Sequence, residues 1–326
     1  MGVREVPEDV GEGGYGPYWE SIVEHVDEPG FEDQWISVVD LPRVNLSQHP
    51  WSLAGGGAVE LMAAVDAHAG RLLSEIVEEV GFGAVTREDS AYMVGLGTLR
   101  RAGIPADQRR PMVLGEDVRD WNLNDLIESI WPYHLQTLSA LKDPNIQRFL
   151  WPVRTILSGR VAYGSTQIER GLEWFEYSMF FRNRFRSPLT ITFAEIESHN
   201  HFVLDRGGKV FNRTAPVIKL PESSTEEDHF GLLGVLNSST ALFWLKQKTK
   251  AKGGAASHAW ARTYQFNVTT LLDFPLPEGL PGFSASDLDD LALGAARVEP
   301  AATLAANGPS REALNAAREQ SAAIRA

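Results

Sequence analysis

The sequence predicts an α+β protein with a β-rich middle flanked by helices, and three observations predict it. Short runs rich in β-branched and aromatic residues recur through the middle of the chain. A helix-period apolar pattern stands before them, and alanine-rich, acid-bearing stretches come after. Hydrophobic residues make up 43% of the 326 positions, enough to bury a core, so the chain is expected to fold rather than stay disordered.

Residues 1–57 mix glycine, proline, acids and aromatics without a sustained period and read as a connecting region. Gly11-Glu12-Gly13-Gly14-Tyr15-Gly16 satisfies the G-x-G-x-x-G pattern, whose use is to bring backbone amides to a pyrophosphate at a helix start. No strand precedes it, Pro17 interrupts the chain directly after it, and no strand with a ribose-binding acid lies downstream, so it reads as a loop. Over residues 58–80, Val59, Leu61, Met62, Val65, Leu72, Leu73, Ile76 and Val77 recur at helical spacing between Gly55-Gly56-Gly57 and Gly81. One amphipathic helix is expected there, its length and acidic outer face suited to a spacer between two lobes.

Residues 81–280 form the expected central domain. Ala91 to Val94, Pro111 to Leu114, Leu189 to Phe193, His201 to Leu204 and Ala215 to Leu220 read as strands. Asp205-Arg206-Gly207-Gly208 between two of them is a hairpin signal, because glycine accepts positive φ. Phe230 to Gln247 is apolar and unbroken enough for a helix, with Ser224, Thr225 and Asp228 available as caps. Residues 281–326 form a helical tail, with helices expected around Asp287 to Ala296 and Arg311 to Arg325.

The formal net charge of −13 argues at first against a nucleic-acid partner. Its distribution argues the other way. Residues 1–147 carry 10 basic and 25 acidic side chains, residues 148–219 carry 11 and 6, and residues 220–326 carry 9 and 12. Lys246, Lys248, Lys250, Lys252 and Arg262 also share a stretch, Ala241 to Tyr264, that contains no acid. Such an asymmetry is the footprint of a surface that faces a polyanion. No apolar run approaches the roughly 18 residues of a membrane span, and the start of the chain does not read as a signal peptide, so a cytoplasmic location is expected. Cysteine is absent, which excludes disulfides, thiolate metal sites and a cysteine nucleophile.

Three groups of residues are candidates for DNA contact. Arg182, Arg184 and Arg186 alternate with Asn183 and Phe185 after the aromatic run Trp174 to Phe181, and on a strand they project from one face. Guanidinium groups there suit phosphate or guanine; the plainer alternative is a strand edge protected by charge. His199-Asn200-His201 places two histidines on one face of a strand, which fits nucleic-acid contact or a structural role better than metal, since only Glu195, Glu197 and Asp205 are close. Lys246, Lys248, Lys250 and Lys252 run into Gly253-Gly254 and suit a DNA-contacting loop, or else they complement a helix dipole. No serine-elbow nucleophile and no P-loop is present, and no catalytic, cofactor-binding or metal-binding residue is nominated in this chain.

Several stretches together resemble the adenine-specific DNA methyltransferases of the BREX phage-resistance systems, the PglX family. They are Gly115 to Trp121, Trp131-Pro132-Tyr133, Leu150-Trp151-Pro152, Gly171 to Tyr177, Phe193 to Asp205, Leu232 to Ser238 and Phe274-Pro275-Leu276-Pro277. The last two are also similar to the closing part of target-recognition domains in restriction–modification enzymes. The resemblance covers roughly residues 50–280. It implies a target-recognition domain over 81–280, double-stranded DNA as partner, and S-adenosylmethionine as the cofactor of the full-length enzyme, with the target adenine flipped from the duplex. Such enzymes hold the adenine with an Asn/Asp-Pro-Pro-aromatic loop, and this chain contains no Pro-Pro dipeptide. The expectation is a recognition portion served by a catalytic lobe in cis or in trans. The alternative is a module that docks other BREX components through the acidic region 1–147.

Overall fold

In the computed structural model the chain is α+β, and the structure describes residues 2–3, 16–43, 47, 57–95, 97–119, 121–124, 126–253, 262–280, 283–299, 302–303 and 310–325. Most of the Gly11 to Gly16 pattern lies outside them. Two compact units are formed, the first from Met1–Glu75, Ile196–His199 and Ser238–Gly279, the second from Ile76–Glu195, Asn200–Asn237 and Leu280–Ala326.

The first unit is helical with short two-stranded pieces. Its helix Pro17–His25 opens with proline in the first turn, where a missing N–H costs nothing. Pro17 thus starts a helix, against the expectation that it interrupts the chain. The helix expected over 58–80 occupies Ala58–Ala67 only. Beyond it, backbone pairing with a distant segment overrides the apolar period. The Gly70 amide donates to the Leu276 carbonyl at 2.8 Å and the Leu73 amide to that of Phe274 at 2.9 Å. Arg71–Leu72 pairs antiparallel with Pro275–Leu276. A Cβ on Gly70 would sit 2.9 Å from the Glu278 amide nitrogen, so only glycine lets the two backbones approach. Phe274 packs edge-on against Trp244 at 5.3 Å, and the Trp244 indole donates to Asp66 at 2.9 Å. The Phe-Pro-Leu-Pro motif is therefore a docking strand of this unit.

The second unit contains two four-stranded sheets. One is antiparallel throughout, in the order Phe202–Asp205, Thr190–Phe193, Val217–Lys219, Glu79–Gly81. Its first three strands are buried along their whole length, which is why they read as continuous apolar runs. The other runs Val210–Phe211, Arg109–Val113, Ile127–Ile130, Met93–Val94, with its first pair parallel. Gly207 and Gly208 do take positive φ, +87° and +82°. The strands they join nonetheless go to different sheets, so the turn is a sheet-to-sheet crossing and no hairpin. Ala91 and Tyr92 belong to the helical turn Asp89–Tyr92, and only Met93–Val94 of that run is strand.

The helix expected from Phe230 to Gln247 is two helices, Glu226–Leu236 and Ser239–Lys248. Asn237 divides them. Its Oδ1 accepts from the Phe202 amide at 3.0 Å and its Nδ2 donates to the Phe202 carbonyl at 2.8 Å, so an asparagine side chain takes the place of a strand neighbour. Thr225 and Asp228 form a capping box at the start of the first helix, and Ser238 caps the second. The tail carries helices Phe283–Arg297 and Arg311–Arg325. Among the described residues no helix is long and apolar enough to cross a membrane.

Candidate nucleic-acid interface

Arg182, Arg184 and Arg186 stand on one turn of helix, Arg182–Arg186, and the strand expected there is absent. At helical spacing Arg184 points away from Arg182 and Arg186, because residues two apart lie on opposite faces and residues four apart share one. Arg184 is held by the fold: it pairs with Glu79 at 2.7 Å, donates to the Phe82 carbonyl at 2.6 Å and lies 4.5 Å from the centre of the Phe181 ring. Arg182 and Arg186 are exposed. Arg186 lines a cleft of about 230 Å³ with Lys219 and His229, and Lys219 is itself paired to Glu78 at 2.9 Å.

The His199-Asn200-His201 group is also divided. The Asn200 side-chain amide donates to the Leu236 carbonyl at 2.6 Å, closing the last turn of helix Glu226–Leu236. Two of the motifs that carry the resemblance thus lock each other, Phe193 to Asp205 through Asn200 and Phe202, and Leu232 to Ser238 through Leu236 and Asn237. His199 is exposed, with Nδ1 2.8 Å from the Ser198 hydroxyl. Among the described residues no group of three His, Asp or Glu that could hold a metal is formed.

The lysines gather with partners that sequence reading does not name. Lys246 and Lys248 lie on helix Ser239–Lys248, so the alternating loop begins only after them. Residues 250–253 then pair antiparallel with 263–265: the Lys252 amide donates to the Thr263 carbonyl at 2.7 Å, the Gln265 amide to that of Lys250 at 3.4 Å, and Ala251 faces Tyr264. Tyr264–Gln265 pairs on its other side with Ile196–Glu197. The result is a three-stranded ribbon. Carried on along its register, it brings His199 to the same end as Arg262 and Gly253.

Cations dominate that ribbon. The Lys246 ammonium lies 5.2 Å from the centre of the Tyr264 ring, and partial burial lowers its pKa. The Lys248 ammonium lies 5.5 Å from the Trp244 ring, and Lys252 donates to the Gln265 side-chain carbonyl at 2.9 Å. These partners are neutral, so each lysine keeps its charge for an anion. Lys250, Lys252 and Arg262 are exposed. Tyr264 and Gln265 escape sequence reading; the acid-free run ending at Tyr264 is the signal that could have found them.

No family model matches the chain. Among curated proteins, the adenine-specific methyltransferase PglX of Streptomyces coelicolor is 38% identical over 323 residues, which is 95% of this chain. The chain is similar to part of PglX. It spans 27% of the length of that protein, and the similar stretch runs through both units. Two solved structures align with the chain at low identity. The type IIL restriction-modification enzyme MmeI in complex with DNA is 14% identical, with a TM-score of 0.45 over 78% of this chain and 33% of that one. The type IIG restriction endonuclease BpuSI is 12% identical, with a TM-score of 0.47 over 82% of this chain and 32% of that one.

The PglX-like motifs of the second unit build a frame. Trp131, Tyr133 and Tyr177 are buried within a cluster that includes Phe180 and Phe185. The Tyr133 hydroxyl accepts from the Tyr177 amide at 3.0 Å. Arg160, 6% exposed, donates to the carbonyls of Thr86, Leu157, Trp174 and Glu176. Gln167 donates to the carbonyls of Glu173 and Glu176, and Arg170 to that of Ser178. The segment 173–178 is thus fixed by side chains that read its backbone, and its aromatic rings face the core.

Proposed function

We propose that this chain is the DNA target-recognition part of an S-adenosylmethionine-dependent, N6-adenine-specific DNA methyltransferase of PglX type, acting in BREX phage defence. Methyl transfer then belongs to a lobe supplied in cis or in trans. The similarity to PglX over 95% of the chain carries the reading, and the ribbon supports it. The major groove admits a two-stranded β-ribbon such as 250–253 with 263–265, where Lys250, Lys252 and Arg262 would meet phosphates and Gln265 base edges.

S-adenosylmethionine would then be held by the lobe that performs methyl transfer. A cofactor loop needs open amides at the start of a helix that follows a strand. Where helix Glu226–Leu236 follows strand Val217–Lys219, two such amides are occupied, that of Thr225 by the Asp228 carboxylate and that of Asp228 by the Thr225 hydroxyl. What this chain's own residues do is bind and orient DNA.

Fluorescence anisotropy with a labelled duplex at several salt concentrations tests the reading. Binding that weakens linearly in log[salt] is expected, with the slope reduced by about one for each phosphate-contacting lysine removed. Binding indifferent to salt and to Lys250→Glu with Lys252→Glu would overturn it, and so would tight binding of S-adenosylmethionine by calorimetry.

A further inference from the structure

The second unit carries an exposed aromatic where the backbone disfavours one. Val161–Ala162 pairs with Ser165–Thr166 through the two-residue turn Tyr163-Gly164. Both turn residues take positive φ, +53° and +82°. Asparagine, aspartate and glycine suit that turn, whereas a tyrosine Cβ crowds the backbone there. The Tyr163 ring is nevertheless 80% exposed at the tip. It borders a cleft of about 240 Å³ whose walls include Phe181, Arg170, Glu176 and Arg182. That volume equals about eight waters, room for one planar ring system.

The polar groups of the cleft are placed for such a ligand. Glu176 is 6% exposed; its Oε2 accepts from the Glu173 amide at 2.8 Å, which leaves Oε1 to a donor in the cleft. Arg170 is anchored by the Ser178 carbonyl at 2.7 Å and Gln167 Oε1 at 2.8 Å. Arg182 makes no hydrogen bond or ion pair among the described residues, and its positive charge reaches Glu176.

We propose that this cleft holds one unpaired, amino-bearing nucleobase of DNA. Tyr163 is its stacking platform, Glu176 accepts from its exocyclic amino group, and Arg182 meets the adjoining phosphate. Aromatic rings stack on any base, whereas a carboxylate selects adenine, cytosine or guanine, which carry an amino group, over thymine. The inference rests on the chain being a DNA-binding protein. It assigns a separate site to the second unit, independent of the lysine ribbon.

The test uses the full chain and three labelled duplexes that differ only at the centre: fully paired, with a bulged adenine, and with a bulged thymine. The expected order is bulged adenine tightest, about tenfold tighter than the paired duplex, with bulged thymine between. Tyr163→Asn brings bulged and paired duplexes to one affinity without lowering the melting temperature, because asparagine accepts the turn. Glu176→Gln narrows the gap between adenine and thymine. Equal affinity for paired and bulged duplexes, or an advantage that survives Tyr163→Asn, overturns the cleft while leaving target recognition standing. Failure to bind any of the three overturns the DNA reading, and this inference with it.

Discussion

In the second unit the Arg160 guanidinium ends on four backbone carbonyls, and Arg184 ends on a carboxylate, a carbonyl and an aromatic ring. In the first unit Lys246 and Lys248 lie over rings, and Lys252 reaches a neutral amide. All are cations in stretches that read alike as basic and aromatic. The difference lies in what satisfies them. A cation whose donors are used up by buried carbonyls contributes to the fold and has little left for a ligand. One that rests on neutral partners at the surface costs little to keep there and stays available to an anion.

The largest effect that would break this contrast is expected at Arg160. Arg160→Met keeps the apolar stem and strands the carbonyls of Thr86, Leu157 and Trp174, while that of Glu176 keeps Tyr92 and Gln167 as donors. A loss of about 4 kcal/mol is expected, given about 1–3 kcal/mol for each buried group left without a partner and partial relaxation. Urea unfolding measures it. A loss under about 1 kcal/mol would mean that water reaches those carbonyls and that Arg160 is no clamp. The opposite pattern is expected of Lys250→Glu, Lys252→Glu and Arg262→Glu together. Duplex affinity at low salt falls about a hundredfold while stability changes by about 0.5 kcal/mol or less. A comparable loss of stability would place the ribbon with the frame.

The arginine turn sharpens the comparison within three residues. Arg184→Ala removes the Glu79 pair and the Phe82 hydrogen bond and is expected to cost about 2 kcal/mol, with little effect on DNA. Arg182→Ala is expected to do the reverse. A Cβ on Gly81 would lie 2.8 Å from the Arg184 guanidinium carbon, so Gly81→Ala should displace Arg184 and add backbone strain at φ +157°, a loss at least that of Arg184→Ala. Equal behaviour of Arg182→Ala and Arg184→Ala in both assays would dissolve the distinction.

These pairs also show what is legible in sequence. The buried strands Thr190–Phe193, Phe202–Asp205 and Val217–Lys219 announce themselves as β-branched, apolar runs, and the tail helices as alanine-rich periods. The pattern over 58–80 overstates its helix because periodicity carries no news of a partner strand 200 residues away, and Leu72 fits a helix face as well as a strand beside Pro275. The break at Asn237 is hidden because its cause is the backbone of Phe202. Arg182 to Arg186 alternates like a strand and folds as a turn of helix, since alternation over five residues fixes a face only once the period is known. Charge asymmetry finds the lysines, but not the tyrosine and glutamine that hold them.

The smallest expected effect is at Lys246, which sits between the two classes, partly buried yet paired only to a ring. Burial lowers its pKa below the ordinary lysine value of 10.5. In the pH window between the folded pKa and 10.5 the unfolded chain then binds more protons than the folded one, so stability rises with pH there. Lys246→Gln should flatten that rise, and the cation–ring contact it deletes is worth about 0.5 kcal/mol at such a site. Bound phosphate reverses the bias, because an anion near the ammonium favours its charged form. DNA binding measured calorimetrically in that window should therefore take up protons, and should cease to do so in Lys246→Gln. Proton uptake that persists in the variant would assign the titration to another group and would place Lys246 with the cations the fold consumes.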